Sequence, residues 1–367
     1  MGDHYHMLDY IHEGPRALAD TLSENEHGMG EFIQICRSKG IEKILITGLG
    51  SSLAAALMSE PLFRAVCPIP VMMVNGEETI YYRDSWITPR SLVVSISRSG
   101  ERGSVVDAQK WVRDAGGLGL AVTSRTDNLL CEYAGNSLIT REGPEISFPK
   151  TKSVLACAGI LMRLALAFGD ENSVQVKEFV QGLNEMPRMI EDNIAILEPF
   201  FKSLTAEYSS HSLLNVVGTG SNHGLALDAA VKVQEASFIP TRGDSTAGLL
   251  HGPVGAFDPR WLVMAMITPQ DLEVNAELLK QVREFKAGSI AVHDPSVNVQ
   301  GMSELAVALS RSVSLYLAAL AFMPAVQLLA YYWTVARGMN PDMPASMDSL
   351  MGSMLPPGRQ EAEYKET

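Results

Sequence analysis

Cysteine is scarce and dispersed. The chain of 367 residues has four, Cys36, Cys67, Cys131 and Cys157, with no CxxC pair and no metal-ligand spacing. That pattern argues against a thiolate metal site or a disulfide framework and leaves buried free thiols in a reducing compartment. Positive charge is also in short supply. Against 42 Asp and Glu stand only 29 Lys and Arg, a net charge of −13, with no basic run. Such a surface repels a phosphodiester backbone, so no nucleic-acid partner is expected. A small anionic ligand is not excluded, because backbone N–H groups at a helix start hold a phosphate whatever the net charge. The first residues, MGDHYHMLDYIHEGPRAL, lack the apolar segment and cleavage site of a signal peptide, and a cytoplasmic protein is expected. His4, His6 and His12 read as a solvated helix lead-in, and no metal is expected. One stretch lacks charge altogether: residues 312–336, long enough to span a bilayer. Pro324 interrupts it, so the expectation is a buried helix or helix pair broken near Pro324, and no membrane.

What is present is a globular composition, 46% hydrophobic and 19% charged, and a length suited to two or three domains. The chain contains itself twice. KILITGLGSS at residues 43–52 is an apolar run, a Gly/Ser turn and then an Ala-rich helical pattern over 53–63. LLNVVGTGSN at 213–222 does the same, followed by a helical pattern over 225–235. Each reads as a buried strand feeding a helix through glycines. Short apolar runs at 70–74, 92–96 and 118–122 continue the first half, and Trp261–Ile267 and 289–293 the second. Their alternation with helical patterns predicts an α/β fold with doubly wound parallel sheets. A charged helical stretch over 172–203 links the halves. The expected division is residues 1–190, a leading helix and first domain; 191–355, a second domain; and 356–367, a polar tail.

Glycine loops after strands raise the question of a dinucleotide. A nicotinamide fingerprint needs a third glycine three positions after the second, where Leu53 and His223 stand. Glu77 and Glu78, ending the second strand, are the best point in its favour; no cofactor is expected. A second loop, Ser97-Arg98-Ser99-Gly100-Glu101-Arg102, follows the run at 92–96 and precedes a helix starting near Ser104. Two hydroxyls and a run of N–H groups at a helix start suit a phosphate monoester. By itself such a loop is as well a turn with an N-cap. Its pairing with Ser51 and Ser52 on the neighbouring strand end favours a ligand crevice there. Further on, Lys232 and Glu235 share a helix face, which by spacing alone is equally a surface salt bridge.

In order, GLGSS, SISRSGE, EGPEISFPKTKSVLA, ALDAAVKVQEASFI and HGPV resemble the isomerase half of the glucosamine-6-phosphate synthases, built from two SIS (sugar isomerase) domains. The resemblance covers residues 11–344 and extends to IHEGPRAL at the start. It implies two flavodoxin-like SIS domains and a sugar-phosphate ligand. By the resemblance, Glu235 is the base that moves a proton between sugar C1 and C2, and Lys232 lies beside the ligand. His251 assists ring opening from a neighbouring subunit, which implies a homodimer with shared sites. Ser51, Ser52, Ser97, Arg98, Ser99, Gly100, Arg102, Thr151 and Lys152 are the implied substrate and phosphate contacts. Some departures limit it. The synthase phosphate loop reads S-Q-S-G-E-T, so Arg98 and Arg102 are new here, and Lys150 stands where the synthases have Ser. No lysine occupies residues 344–350, where the synthases carry one that forms an imine with the ketose; Lys365 is the only later lysine. The synthases' glutaminase half is absent from the sequence, so nitrogen transfer from glutamine is not expected. Stand-alone proteins of this shape include deglycases of 6-phosphorylated Amadori compounds. The expectation is therefore an isomerase/deglycase acting on a 6-phosphorylated keto-amino sugar. The alternative is a non-catalytic regulatory protein that binds a sugar phosphate, with a dinucleotide enzyme third.

Overall fold

A computed structural model describes residues 5–79, 81, 86–208 and 210–343. The first glycine-turn unit is β1 (Lys43–Gly48) feeding α3 (Ser51–Val66), preceded by two helices, α1 (His6–Glu24) and α2 (Glu26–Lys39). Next come β2 (Val71–Asn75), β3 (Ser91–Ile96), α4 (Ser104–Asp114), β4 (Leu118–Thr123), α5 (Leu129–Ala134) and β5 (Ser137–Ile139). Two helices follow, α6 (Lys152–Phe168) and the 35-residue α7 (Val174–Tyr208). The second unit is β6 (Leu213–Gly218) and α8 (Ser221–Ser237), then β7 (Thr241–Ser245), α9 (Thr246–Leu250), β8 (Trp261–Ile267), α10 (Leu272–Glu284), β9 (Gly288–His293), β10 (Leu305–Ala308) and α11 (Ala318–Ala336).

The strands make two five-stranded sheets, ordered β2-β1-β3-β4-β5 and β7-β6-β8-β9-β10. Every pairing is parallel, and both sheets have the same doubly wound, flavodoxin-like order. Central strands such as β3 and β4 are buried along their whole length, as unbroken apolar runs require when helices cover both faces. Each order reverses between its first and third strands, which opens a crevice beyond their carboxyl ends. Three strands had no sequence signal. The segment β7 reads TRGDS and β10 reads LAVA, both on sheet edges and mostly half-buried, and β5 has three residues.

The halves pack through their equivalent helices. Gly224 of α8 lies so close to α3 that a Cβ there would sit 2.5 Å from the Met58 backbone nitrogen. One apolar core runs through both sheets, from Met7 and Ile46 to Val216 and Trp333. Residue 190 lies inside α7, which packs against α11.

The expected break at Pro324 does not occur. The charge-free stretch opens with turns, and α11 then runs unbroken through Pro324 for 19 residues. Almost every residue of that helix is buried, so packing on α7 and α8 offsets the lost backbone bond. By length and composition α11 could cross a membrane, but 89% of its apolar window is buried inside the protein.

Candidate active site

The first-sheet crevice begins at the two serines that start α3. Gly50 is the N-cap of that helix and has no side chain to cap it, so the first turn presents N–H groups and the half-buried hydroxyls of Ser51 and Ser52. Beside them β3 ends in the 97–102 loop. Here Gly100 has φ +63 and packs so tightly on Asn128 that a Cβ would come within 2.4 Å of it, so only glycine fits. The Gly100 N–H donates to Ser97 Oγ at 3.2 Å. Ser99 and Arg102 are exposed, and Glu101 pairs with Arg125 at 2.5 Å.

A cavity of about 70 Å³ opens between these elements and the loop joining β5 to α6. Its polar walls are chiefly Ser51, Ser52, Arg98, Glu142, Lys150 and Ser153. Among the expected contacts, Ser51, Ser52 and Arg98 line it, while Ser97, Ser99, Gly100 and Arg102 belong to the neighbouring loop. Two walls carry charged groups: Glu142, which sequence reasoning did not single out, and Lys150, which it noted only as a departure from the synthase pattern. Glu142 is buried, with Arg98 Nε at 3.5 Å from its carboxylate. Lys150 donates its Nζ to the carbonyls of Ser147 (2.7 Å) and Glu145 (3.1 Å).

That loop is held by Glu145. Its carboxylate accepts from the backbone N–H groups of Thr151, Lys152 and Ser153 and from the hydroxyls of Thr151 and Ser153. It thus caps α6 and complements the positive end of that helix. Burial alone would raise its pKa, but Lys150, the two hydroxyls and the Thr151 amide outweigh burial and hold it below the usual carboxylate value. Thr151 is accordingly buried in this cap, and Gln327 of α11 donates to its carbonyl at 3.2 Å. Lys152 is directed to α1, with its Nζ 2.5 Å from Glu13 and 4.3 Å above the Tyr10 ring.

The second half reaches this loop through α8. Lys232 is fully buried, donates its Nζ to the Lys150 carbonyl and lies 3.4 Å from Asp228. One turn on, Glu235 is half-buried, and its carboxyl is pushed up to about 7. Desolvation is the main cause and Asp228 adds to it; Lys232 and Lys150 oppose it. Lys232 and Lys150 therefore bring Glu235 into electrostatic reach of the cavity wall. His251, at the C-terminal end of α9, is exposed, and no contact joins it to Glu235 within the described part of this chain. The corresponding turn of the second sheet is closed by the chain itself. Ser221 Oγ donates to the Leu315 carbonyl at 2.6 Å and accepts from Ala319 N–H at 3.1 Å. Among the described residues, no cluster of His, Cys, Asp or Glu is arranged to hold a metal. Residues 344–350 and Lys365 lie outside the described residues.

The SIS domain family matches residues 39–167, the segment holding β1 to β5 and the cavity walls. Across the whole chain, the glutamine–fructose-6-phosphate aminotransferase [isomerizing] of Pyrococcus horikoshii is 26% identical over 349 residues, covering 94% of this chain and 57% of that protein. The chain thus spans less than three-fifths of that relative's length and is homologous to its isomerase domain. Solved structures extend the fold to the second sheet. The C-terminal domain of glucosamine-fructose-6-phosphate aminotransferase from Francisella tularensis superposes with a TM-score of 0.82 at 21% identity, over 94% of this chain and 99% of that one. Tagatose-6-phosphate ketose/aldose isomerase from Escherichia coli gives 0.77 at 19% identity, over 92% and 95%. Both sheets of this chain therefore share the α/β fold of these structures, parallel five-stranded sheets flanked by helices.

Proposed function

We propose that this chain is a cytoplasmic, homodimeric phosphosugar isomerase that acts as a deglycase on a 6-phosphorylated keto-amino sugar, an Amadori compound or a relative of one. The observation that carries the reading is Glu235, whose carboxyl titrates near neutrality (about 7) beside Lys232 and Lys150. A base poised near the working pH moves protons efficiently in both directions. Glu235 takes a proton from C1 of the ketosamine, the C2 carbonyl oxygen gains a proton, and an enolamine forms. Return of the proton to C2 leaves a C1 imine. Water adds to that imine, the C1–N bond breaks, and amine and aldose phosphate depart. A substrate that already carries its amine needs no lysine imine, which agrees with the absence of lysine at residues 344–350. Ser52, Ser97, Ser99 and the amides around Gly100 are the proposed phosphate ligands, with Ser51, Arg98 and Arg102 beside them. Thr151 and Lys152 shape the loop under the sugar. His251 opens the sugar ring in the partner subunit's site, which fits its exposure in the single chain. No cofactor is required by this chemistry.

The test is incubation with fructoselysine 6-phosphate and with glucosamine 6-phosphate, following amine, ammonia and hexose phosphate. Release of lysine from fructoselysine 6-phosphate is the expected result, with Glu235→Gln lowering turnover by at least about 100-fold while binding persists, whereas ammonia release from glucosamine 6-phosphate alone would move the cleaved C–N bond to C2. Full activity in that variant would remove Glu235 from the mechanism. Hexose-phosphate binding with no turnover of either compound would favour a sugar-phosphate sensor instead.

A further inference from the structure

Two buried carboxylates stand three residues apart between β5 and α6, and their surroundings are opposite. Glu145 accepts from three backbone N–H groups and two hydroxyls. Glu142 has a fully buried side chain, and among the described residues neither of its carboxylate oxygens has a hydrogen-bond partner. Among the described residues its ion-pair partner is Arg98, whose Nε is 3.5 Å away and likewise without a hydrogen-bond partner. A carboxylate held out of water with its lone pairs unused is strongly unfavourable. Folding tolerates such a group where a ligand supplies the missing donors. Glu142 and Arg98 both face the cavity that Ser51, Ser52, Lys150 and Ser153 complete.

The chemistry of that ligand follows from the donor and acceptor pattern. Arg98 and the start of α3 offer donors, which suit phosphate oxygens. A carboxylate can only accept, so a phosphate dianion does not satisfy it and hydroxyl groups do. At about 70 Å³ the cavity is far below the roughly 300 Å³ of whole-ligand pockets. It takes one part of a ligand whose remainder lies in the crevice outside. Building on the sugar-phosphate reading above, we propose that Glu142 is a specificity-determining residue. Its carboxylate accepts hydrogen bonds from sugar hydroxyls while Arg98 and the first turn of α3 take the phosphate. The pocket thereby prefers a polyhydroxylated phosphate to a bare one.

Calorimetric titration of the full chain with inorganic phosphate, fructose 6-phosphate and glucosamine 6-phosphate tests this. The wild-type chain is expected to bind the hexose phosphates more tightly than inorganic phosphate. In Glu142→Gln, hexose-phosphate affinity falls about tenfold or more, as loss of charge-assisted bonds implies, while inorganic phosphate binds within about twofold of wild type or more tightly. An equal loss for both classes, or no loss for either, overturns the assignment of Glu142 and leaves the sugar-phosphate reading intact. A wild-type chain that binds neither hexose phosphate overturns both. Should Glu142→Gln fail to fold, Glu142→Asp keeps the charge and retracts it by one methylene. The same split between ligands is expected there, and unchanged hexose-phosphate affinity would overturn the proposal.

Discussion

Glu235 and Glu142 have different claims on function, and the difference lies in what surrounds each. The Glu235 carboxyl sits near 7 because burial disfavours its charge more than Lys232 and Lys150 restore it. For the proposed reaction the base must be ionised, so kcat/KM is expected to climb about tenfold per pH unit below its pKa and level off above it. Stability moves the other way. With a folded pKa of about 7 against an unfolded value of about 4.3, the native state binds the extra proton between the two. Its contribution is full below the lower value and lost as pH rises through the higher one. Glu235→Gln, which has no charge to bury, should therefore melt above wild type at alkaline pH, with the gap closing toward pH 5. Melting curves at several pH values check this, and a gap constant with pH would remove the burial argument. The family resemblance drew attention to Glu235. Nothing in the local pattern REGPE distinguished Glu142, because its isolation depends on residues from β3 and α6 that only folding brings near it.

At the scale of elements, the contact between α3 and α8 carries the arrangement. Both helices start from a glycine turn after a buried strand, and they meet where Gly224 passes the Met58 backbone. Gly224→Ala is expected to cost about 1–3 kcal/mol, because the added methyl meets main chain that cannot rotate aside. Gly30→Ala in α2 is the matched control. Nothing lies within 4 Å of its Cβ position, so the substitution should stabilise by up to about 1 kcal/mol through helix propensity alone. Thermal or denaturant unfolding of the pair separates crowding from propensity, and equal effects would contradict the packing argument. The strands with apolar runs were legible from sequence because burial on both faces demands such runs. The edge strand β7, TRGDS, was not, since half-burial imposes no apolar pattern. Helix α11 was legible as buried but not as continuous, because its tolerance of Pro324 comes from the helices around it.

For the whole molecule, the duplicated architecture has one open crevice and one closed turn. Serines begin the helix in both halves, yet Ser51 lines a cavity while Ser221 is bonded to the backbone of residues 315 and 319. The proposed dimer adds a second level of sharing. If His251 serves the partner's site, chains carrying only Glu235→Gln and chains carrying only His251→Ala are each nearly inactive. When they are mixed and allowed to exchange subunits, about a quarter of wild-type activity should return, since half the dimers hold one intact site. No recovery, with exchange verified by mass, would assign His251 to its own chain's site or to none.

The sequence alone determined the repeated strand–glycine–helix unit, the parallel α/β class and the order of motifs, because short-range patterns of burial and turn chemistry are written locally. Tertiary structure decided which glycine turn stays open, that Lys152 turns to Glu13, and that Lys232 joins the halves at Lys150. It also decided that Glu145 is saturated with donors while Glu142, among the described residues, has no hydrogen-bond partner. These depend on groups far apart in the chain. Whether a buried polar atom finds a partner is a property of the packed molecule and not of its neighbours in sequence.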